Sequence, residues 1–314
     1  MMGKIQDCRI VFMGTPAFAV ATLSKLISNG CNVVGVVTAP DKPAGRGMQL
    51  SQSAVKKYAI EHNLHVLQPV KLKDPEFLHD LKLLKADVQV VVAFRMLPEI
   101  VWNMPPMGTI NLHGSLLPAY RGAAPINWAI INGEKQTGVT TFKLQQEIDT
   151  GDILRQEVIY IREGETAGEL HDEMMEIGAS LVYDTLVVYF NNGIIPVPQQ
   201  NFSGVETGVP IAPKLTTETG KIDWSLPAKK IVNLIHGLSP YPCAYTQLDG
   251  KALKVIKASF TIEEKGIGYK EYDSDGKSFL RFASADGWVY IHELQLEGKK
   301  KMDIASFLRG YRFK

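Results

Sequence analysis

The stretch "RIVFMGTPAFAVATLSKLISNGCNVVGVVT", residues 9–38, decides the fold of this 314-residue chain. It begins with a short apolar run that ends in glycine and closes with a second run that is apolar or small apart from its ends. Between the two runs, apolar residues recur at helical spacing until Gly30 stops the pattern. Two strands that are apolar on both faces and are joined by a helix predict a parallel sheet covered on both sides.

The same alternation of strands and helices continues toward the middle of the chain. Helices are predicted over residues 51–62 and 74–86, and strands over 87–94 and 108–113. Two β segments joined by a polar loop follow over 137–161, and a long amphipathic helix follows over 166–190. In parallel sheets, ligands collect at the carboxyl ends of the strands. The end of the strand over 108–113 is therefore the first place to look for a site.

The remaining third of the chain has a different pattern. Residues 194–213 contain four prolines among polar residues and predict a linker. Beyond them, a helix over 227–236 precedes several short strands with turn signals, which favour a small β-barrel, an OB-like fold being one possibility. We therefore predict a first domain over 1–193, a linker over 194–213 and a C-terminal domain over 214–314.

Composition narrows the class of protein. Hydrophobic residues make up 45% and charged residues 21% of the chain, which are ordinary globular values. No apolar run approaches the roughly 20 residues of a membrane-spanning helix, and the N-terminus fits a first strand better than a signal peptide. The three cysteines are widely spaced and predict small buried residues in a reducing compartment. We expect a cytoplasmic, monomeric protein without a membrane partner.

Charge is unevenly distributed along the chain. Residues 214–314 contain 17 Lys and Arg against 12 Asp and Glu, a net charge of +5, whereas the first 213 residues have a net charge of −4. A basic C-terminal part suggests a polyanionic partner, although an uneven solvated surface is an equal alternative. The basic candidates lie on a Gly- and Pro-containing loop, on a predicted strand and in a lysine run: Lys42 and Arg46; Lys251, Lys254 and Lys257; Lys299, Lys300 and Lys301.

Asn111 and His113 are the residues most suited to chemistry at the predicted strand end. Side chains alternate along a strand, so these two face the same way. An asparagine can donate a hydrogen bond to an oxyanion and a histidine can transfer a proton near neutral pH, as acyl or formyl transfer requires. A structural histidine is the alternative. Asp149, at a strand-to-loop corner, could orient His113, and the nearby Asp152 is interpreted as a turn residue.

Several blocks of the sequence together resemble the methionyl-tRNA formyltransferase family along nearly the whole chain. These blocks are "IVFMGTPAFAV", "VVTAPDKPAGRG", "NLHGSLLPAYRGAAPI", "TGVTTFKLQQEIDTGDIL", "KLTTETGKIDWSLPA" and "GLSPYPCAYTQLDGKALKV". The resemblance implies an α/β Rossmann-like formyltransferase domain with a mostly parallel sheet, followed by a smaller C-terminal OB-like β-barrel that contacts tRNA. It also implies transfer of a formyl group from 10-formyltetrahydrofolate to initiator methionyl-tRNA, without a metal.

The resemblance assigns roles to particular residues. Its catalytic positions fall on Asn111, His113 and Asp149. A weaker match places Phe18 near the aminoacyl group. The folate-binding block matches Ser115, Leu116, Leu117 and Pro118, and the tRNA-binding positions are expected at Lys42, Arg46, Lys251, Lys254, Lys299, Lys300 and Lys301.

One segment departs from the family, and other functions stay open. The family pattern has a different sequence, one residue longer, where this chain reads "AFRMLP". Arg95 could be a surface residue or a contact to an anionic part of the folate. A sugar-nucleotide N-formyltransferase would keep the same Asn, His and Asp but would not need the basic C-terminal domain. A non-catalytic tRNA-binding relative is the alternative from another class. A dinucleotide-dependent oxidoreductase lacks its glycine fingerprint here.

Overall fold

The computed structural model describes residues 4–44, 49–202, 208–263 and 272–313. The chain forms two compact units. The first comprises Met1–Arg121, Gly138–Ile159 and Asp172–Ile211, and the second comprises Gly122–Thr137, Tyr160–His171 and Ala212–Lys314. Two internal stretches thus group with the C-terminal residues. The boundaries proposed from the sequence stay a prediction.

The two longest strands of the described residues lie in the second unit. In chain order they are β1 (Arg9–Gly14), β2 (Asn32–Val37), β3 (Lys42–Ala44), β4 (Gln49–Ser51), β5 (Val66–Leu67), β6 (Val88–Val92), β7 (Thr109–His113), β8 (Arg121–Gly122), β9 (Gln136–Lys143), β10 (Ile153–Tyr160), β11 (Ile211–Ala212), β12 (Ala244–Leu248), β13 (Lys251–Ile262), β14 (Tyr272–Ser274), β15 (Leu280–Ala283), β16 (Gly287–Leu296) and β17 (Met302–Asp303).

The helices range from one turn to more than six turns. They are α1 (Ala17–Ser28), α2 (Ala54–Glu61), α3 (Pro75–Leu83), α4 (Glu99–Trp102), α5 (Pro125–Ile131), α6 (Ala167–Phe190), α7 (Ala228–Gly237) and α8 (Ile304–Gly310). Asp74 caps α3, its side chain accepting hydrogen bonds from the first turn, and Pro75 follows it. This is the helix start that the sequence predicts.

A seven-stranded sheet in the order β10-β9-β7-β6-β1-β2-β5 forms the first unit. The neighbours from β7 to β5 run parallel, and β9 runs antiparallel to β7. Alternate residues of β1 point to opposite faces, yet Ile10, Val11, Phe12 and Met13 are all fully buried. Helices therefore cover both faces, as the apolar runs predict. On one face, Val11 and Met13 belong to a cluster with Phe77 of α3.

The second unit contains an antiparallel sheet in the order β12-β13-β16-β15-β14, with β17 also paired to β16. Its curled arrangement is OB-like, so the predicted fold class is confirmed for both domains. Helix α7 covers the sheet, and Ile231 and Ile235 enter the core. Helix α5 packs on α7, where the Asn127 side chain donates to the Gly237 carbonyl at 2.7 Å. The sequence pattern did not predict α5.

The fold also bears on the cysteines, on membrane spans, on metal ligands and on the segment over 39–51. All three cysteines are buried and free, and burial raises the pKa of the Cys8 thiol to about 12. No helix within the described ranges is long and apolar enough to cross a membrane. Among the same residues, no group of three or more His, Cys, Asp or Glu is arranged to hold a metal ion. The segment predicted as a loop over 39–51 contains the paired strands β3 and β4.

Candidate active site

Asn111 and His113 lie at the carboxyl end of β7, an interior strand of the seven-stranded sheet. Asn111 pairs with Val91 of β6 and with Phe142 of β9, so the strand is held on both sides. Since side chains alternate, Asn111 and His113 share one face. Within the described residues the Asn111 side-chain amide makes no hydrogen bond, whereas His113 is 7% exposed and firmly held.

The environment of His113 defines its orientation. Its Nε2 lies 2.9 Å from the carbonyl oxygen of Tyr120. Because a carbonyl oxygen can only accept, Nε2 carries the hydrogen. Its Nδ1 lies 3.8 Å from Oδ2 of Asp149, which is close enough for ion pairing but longer than a hydrogen bond. A protonated imidazole would therefore have an oxygen acceptor facing each ring nitrogen.

Asp149 reaches this position from the connection between β9 and β10. It has a left-handed backbone, with φ of +55°, and its side chain is only 12% exposed. Two residues on, Gly151 lies so close to β9 that a β-carbon there would be 1.6 Å from the Lys143 carbonyl oxygen. The structure thus brings two of the three predicted catalytic side chains together. Asp152 contributes its backbone carbonyl to a hydrogen bond from Lys143.

The predicted folate-binding residues form a turn whose backbone is fixed by hydrogen bonds from β9 and β10. Thr140 of β9 donates its hydroxyl to the Ser115 carbonyl at 2.6 Å and accepts from the Leu117 amide at 3.2 Å. Gln156 of β10 donates to the Leu117 carbonyl at 2.9 Å. Leu117 is 1% exposed and the Ser115 hydroxyl is bonded to the Ala119 carbonyl. Of the four predicted residues, Ser115, Leu117 and Pro118 are buried, and Leu116 is half-buried.

Other predicted residues of the first unit lie on α1 and on the β3–β4 hairpin. Phe18 is 8% exposed, in the first turn of α1. Lys42 is exposed at the start of β3, and Arg46 lies outside the described residues. Asp41 anchors the base of the hairpin, since it accepts from Lys56 at 2.6 Å and from Gln68 at 2.9 Å. The bond from Lys56, and then that from Gln68, lowers the pKa of Asp41 below its ordinary value.

The predicted tRNA-binding lysines of the second unit are all exposed, but they differ in their partners. Lys301 pairs with Glu293 at 2.6 Å, so its charge is partly balanced. Lys251 begins β13 and lies opposite Leu248 of β12. Lys254 borders a cavity of about 560 Å³ that also contains Lys214, Tyr241 and Tyr245. Lys299 and Lys300 are exposed in the turn before β17.

The segment that departs from the family has a structural role for its arginine. Arg95 donates through Nη1 to the Val70 carbonyl at 2.8 Å and through Nη2 to the Pro69 carbonyl. Its guanidinium also lies 5.6 Å from the centre of the Phe94 ring. The arginine thus joins the loop after β6 to the segment after β5.

Three contributors to the site carried no assigned role in the sequence analysis. The Tyr120 carbonyl bonds His113, Gln199 donates to the Asp149 carbonyl, and Arg121 bonds Gln199. Tyr120 and Arg121 come within three residues of Pro118 in the predicted folate-binding turn, so proximity in sequence was a usable signal. Gln199 lies in the proline-containing segment predicted as a linker, where no pattern distinguishes it.

The chain is similar in fold to several solved structures, which include an N-formyltransferase. An N-formyltransferase from Helicobacter canadensis, solved with folinic acid and dTDP-3-aminofucose, matches with a TM-score of 0.68 and 21% identity, over 94% of this chain and all of that one. HypX from Aquifex aeolicus in complex with tetrahydrofolic acid matches with a TM-score of 0.64 and 19% identity, over 98% of this chain and 48% of that one. At this identity the likeness concerns the fold alone.

Sequence comparison is more specific. The formyl transferase model matches residues 8–186, and the formyl transferase C-terminal domain model matches residues 214–312. A methionyl-tRNA formyltransferase of Bacteroides thetaiotaomicron is 49% identical over 98% of this chain and 97% of its own length. One of Parabacteroides distasonis is 50% identical and one of Flavobacterium johnsoniae 49%, with equal or greater coverage. The chain therefore belongs to the methionyl-tRNA formyltransferase family of transferase enzymes.

Proposed function

We propose that this enzyme transfers the formyl group of 10-formyltetrahydrofolate to the α-amino group of initiator methionyl-tRNA. The observation that carries the proposal at the site is the pairing of His113 Nδ1 with Asp149 Oδ2 at 3.8 Å, on the side of the sheet that Asn111 also faces. A folate-type substrate is supported by a structural neighbour that binds tetrahydrofolic acid. The names of the full-length relatives support methionyl-tRNA as the acceptor.

The chemistry is a direct transfer between two bound substrates. The methionyl amine attacks the formyl carbon, so that one carbon–nitrogen bond forms and the bond to the folate nitrogen breaks. The amine loses a proton in this step and the folate nitrogen gains one. Asn111 and protonated His113 stabilise the tetrahedral oxyanion, and Asp149 orients His113 and helps to relay the proton. Positioning and oxyanion stabilisation supply most of the rate enhancement.

The test is a transfer assay with the purified protein, 10-formyltetrahydrofolate and charged initiator tRNA. We expect formyl-methionyl-tRNA as the product. In the same assay, Asn111→Ala and Asp149→Ala should each lower turnover by at least about a hundredfold, as the loss of comparable groups does elsewhere. Formylation of a sugar nucleotide with no formyl-methionyl product would overturn the proposal.

The tRNA substrate also accounts for the basic C-terminal domain. Residues 214–314 have a net charge of +5, and a phosphate backbone is bound mainly through such charge. Lys251, Lys254, Lys299, Lys300 and Lys301 are the contacts that we propose there, with Lys42 and Arg46 on the hairpin of the first unit. Ser115, Leu116, Leu117 and Pro118 form the proposed folate-binding turn, and Phe18 the proposed wall of the aminoacyl site.

A further inference from the structure

Gln199 belongs to the segment predicted as a linker, yet it is 2% exposed. It begins the one-turn helix Gln199–Asn201 of the first unit. A glutamine side chain carries an acceptor and two donors, and burying it is costly unless these are paired. Its hydrogen-bond partners therefore indicate what the residue does.

On one side, the partners of Gln199 are two carbonyl groups of the catalytic loop, which is the connection between β9 and β10 that carries Asp149. The Gln199 Nε2 donates to the carbonyl oxygens of Asp149 and Gly151, both at 2.8 Å. On the other side, Arg121 donates to Gln199 Oε1, from Nε at 3.0 Å and from Nη2 at 2.5 Å. Because the guanidinium can only donate and the carbonyls can only accept, the amide can be oriented in only one way.

These bonds fix the curvature of the loop that carries Asp149. The two accepting carbonyls lie on either side of Thr150, so a single amide group spans the turn. The turn needs such support, since Asp149 has a left-handed backbone and Gly151 is pressed against β9. A change in this curvature would move the Asp149 carboxylate away from His113.

The contacts around His113 form a closed cycle of residues. The Tyr120 carbonyl bonds one ring nitrogen of His113, and the Asp149 carboxylate faces the other. Gln199 joins the Asp149 loop to Arg121, which follows Tyr120 in the chain. A second residue of the linker segment also contacts this cycle: the Pro210 carbonyl accepts a hydrogen bond from the Tyr120 amide at 2.6 Å. Every residue of this cycle lies in the first unit.

We propose that Gln199 is a positioning residue for formyl transfer: held by Arg121, it sets the position of Asp149 relative to His113. This inference rests on the proposed function, in which that pair is catalytic. Gln199 itself does not touch the reacting atoms. Its effect on the reaction passes through Asp149, and that dependence is what an experiment can measure.

Gln199→Glu is the sharpest substitution, because it keeps the size of the side chain and its bonds from Arg121. A carboxylate cannot donate to the Asp149 and Gly151 carbonyls and would repel them. We expect kcat to fall by about a hundredfold, as a misplacement of about 1 Å can cause, with KM for both substrates unchanged. Gln200→Glu makes the same charge change at an exposed neighbour and should leave kcat unchanged.

A double substitution separates positioning from a general structural role. In an Asp149→Asn background, Gln199→Glu should cause no further loss of kcat, because its effect acts through the Asp149 carboxylate. Wild-type kcat in Gln199→Glu, or an equal further loss in the Asp149→Asn background, would overturn this inference alone. Wild-type turnover in Asp149→Asn would instead overturn the mechanism of the proposed function. Should Gln199→Glu fail to fold, the nearly isosteric Gln199→Met carries the same expectations.

Discussion

Asp149 has a backbone conformation that decides which substitution tests its chemistry. Its φ of +55° lies in the left-handed region. Asparagine and aspartate tolerate this region, whereas for most other residues it costs roughly 1–2 kcal/mol. Asp149→Asn therefore removes the charge and leaves the backbone unstrained, while Asp149→Ala changes both.

We expect Asp149→Asn and Asp149→Ala to lower kcat equally, by at least about a hundredfold, because both remove the carboxylate beside His113. Only Asp149→Ala should also lower the midpoint of thermal unfolding. Steady-state formylation rates and thermal melts measure the two effects separately. Asp152→Asn, three residues along the same connection, is the matched control and should keep wild-type turnover. Unchanged turnover in Asp149→Asn would remove this aspartate from the mechanism.

Two adjacent threonines of β9 separate folate binding from stability at the scale of the element. The Thr140 hydroxyl bonds the Ser115 carbonyl and the Leu117 amide of the proposed folate-binding turn, and it accepts a hydrogen bond from Gln156 of β10. The Thr141 hydroxyl points to the opposite face, where it bonds Thr185 at 2.9 Å. Both threonines are fully buried.

Thr140→Val should raise KM for the folate, because the turn loses the hydroxyl that fixes its backbone. Leaving the Leu117 amide without this partner should also destabilise the fold by about 1–3 kcal/mol. Thr141→Val should have a comparable effect on stability and leave KM for the folate unchanged. Kinetics with varied folate concentration and urea unfolding of both variants make the comparison. Equal KM values in the two variants would contradict a special role for the turn.

A β-bulge in β13 places two lysines on the same face. Lys254 pairs with Gln295 and Lys257 with Glu293, so Ile256 is left out of the pairing, and the register shifts back between Lys257 and Ala258. Without the bulge, residues three apart in a strand would point to opposite faces. Both lysines are exposed, but Lys257 lies opposite Glu293 and 3.9 Å from Glu169. The basic strip expected along this strand is therefore interrupted by acidic partners.

At the scale of the whole molecule, binding of tRNA should depend on the balance between the exposed lysines of the second unit and their acidic partners. We expect the double variant Lys299→Glu, Lys300→Glu to bind initiator tRNA more weakly, and the dependence of affinity on salt to become less steep, as phosphate contacts are lost. Glu293→Gln removes the partner of Lys301 and should strengthen binding. Filter binding over a range of salt concentrations measures both. Unchanged affinity in the double variant would make this run an ordinary solvated surface.

Two histidines make the stability of the second unit dependent on pH. Burial lowers the pKa of His236 below the ordinary value of 6.5, and the nearby Lys257 lowers it further. His292 is exposed, and partial desolvation together with Lys257 lowers its pKa as well. In His236, Nε2 accepts a hydrogen bond from the Ala258 amide at 3.3 Å, which also marks the neutral form. Glu169 acts in the opposite direction on His236. A histidine with a lowered pKa binds a proton more readily in the unfolded chain than in the folded one.

Stability should therefore fall as the pH drops below the ordinary histidine value, until it passes the lower pKa of the folded state. We expect a lower thermal midpoint near pH 5.5 than near pH 7.5, with a smaller difference in His236→Asn. His62→Asn changes an exposed histidine of the first unit and should keep the wild-type difference. The same difference in His236→Asn as in the wild type would exclude His236 as its source.

Local pattern in the sequence was enough to predict the sheet of the first unit and the shared face of Asn111 and His113. The apolar runs around β1 and β2 must be buried on both faces, and a strand alternates its side chains whatever surrounds it. Helix α5 could not be found in this way, because it acquires its burial from α7, about a hundred residues further along the chain. The linker was predicted from its prolines, a pattern that holds no information about Gln199.

By itself, the sequence determined the fold class, the position of Asn111 and His113 at a strand end, and the uneven charge, because each depends on neighbouring residues or on composition. Only the tertiary structure decided that Asp149 lies beside His113, that a bulge aligns Lys254 with Lys257, and that Gln199 and Arg121 hold the catalytic loop. These features depend on contacts between residues far apart in the chain. The physical reason is that hydrophobic periodicity acts over a few residues, whereas a hydrogen bond between distant segments forms only after the chain has folded.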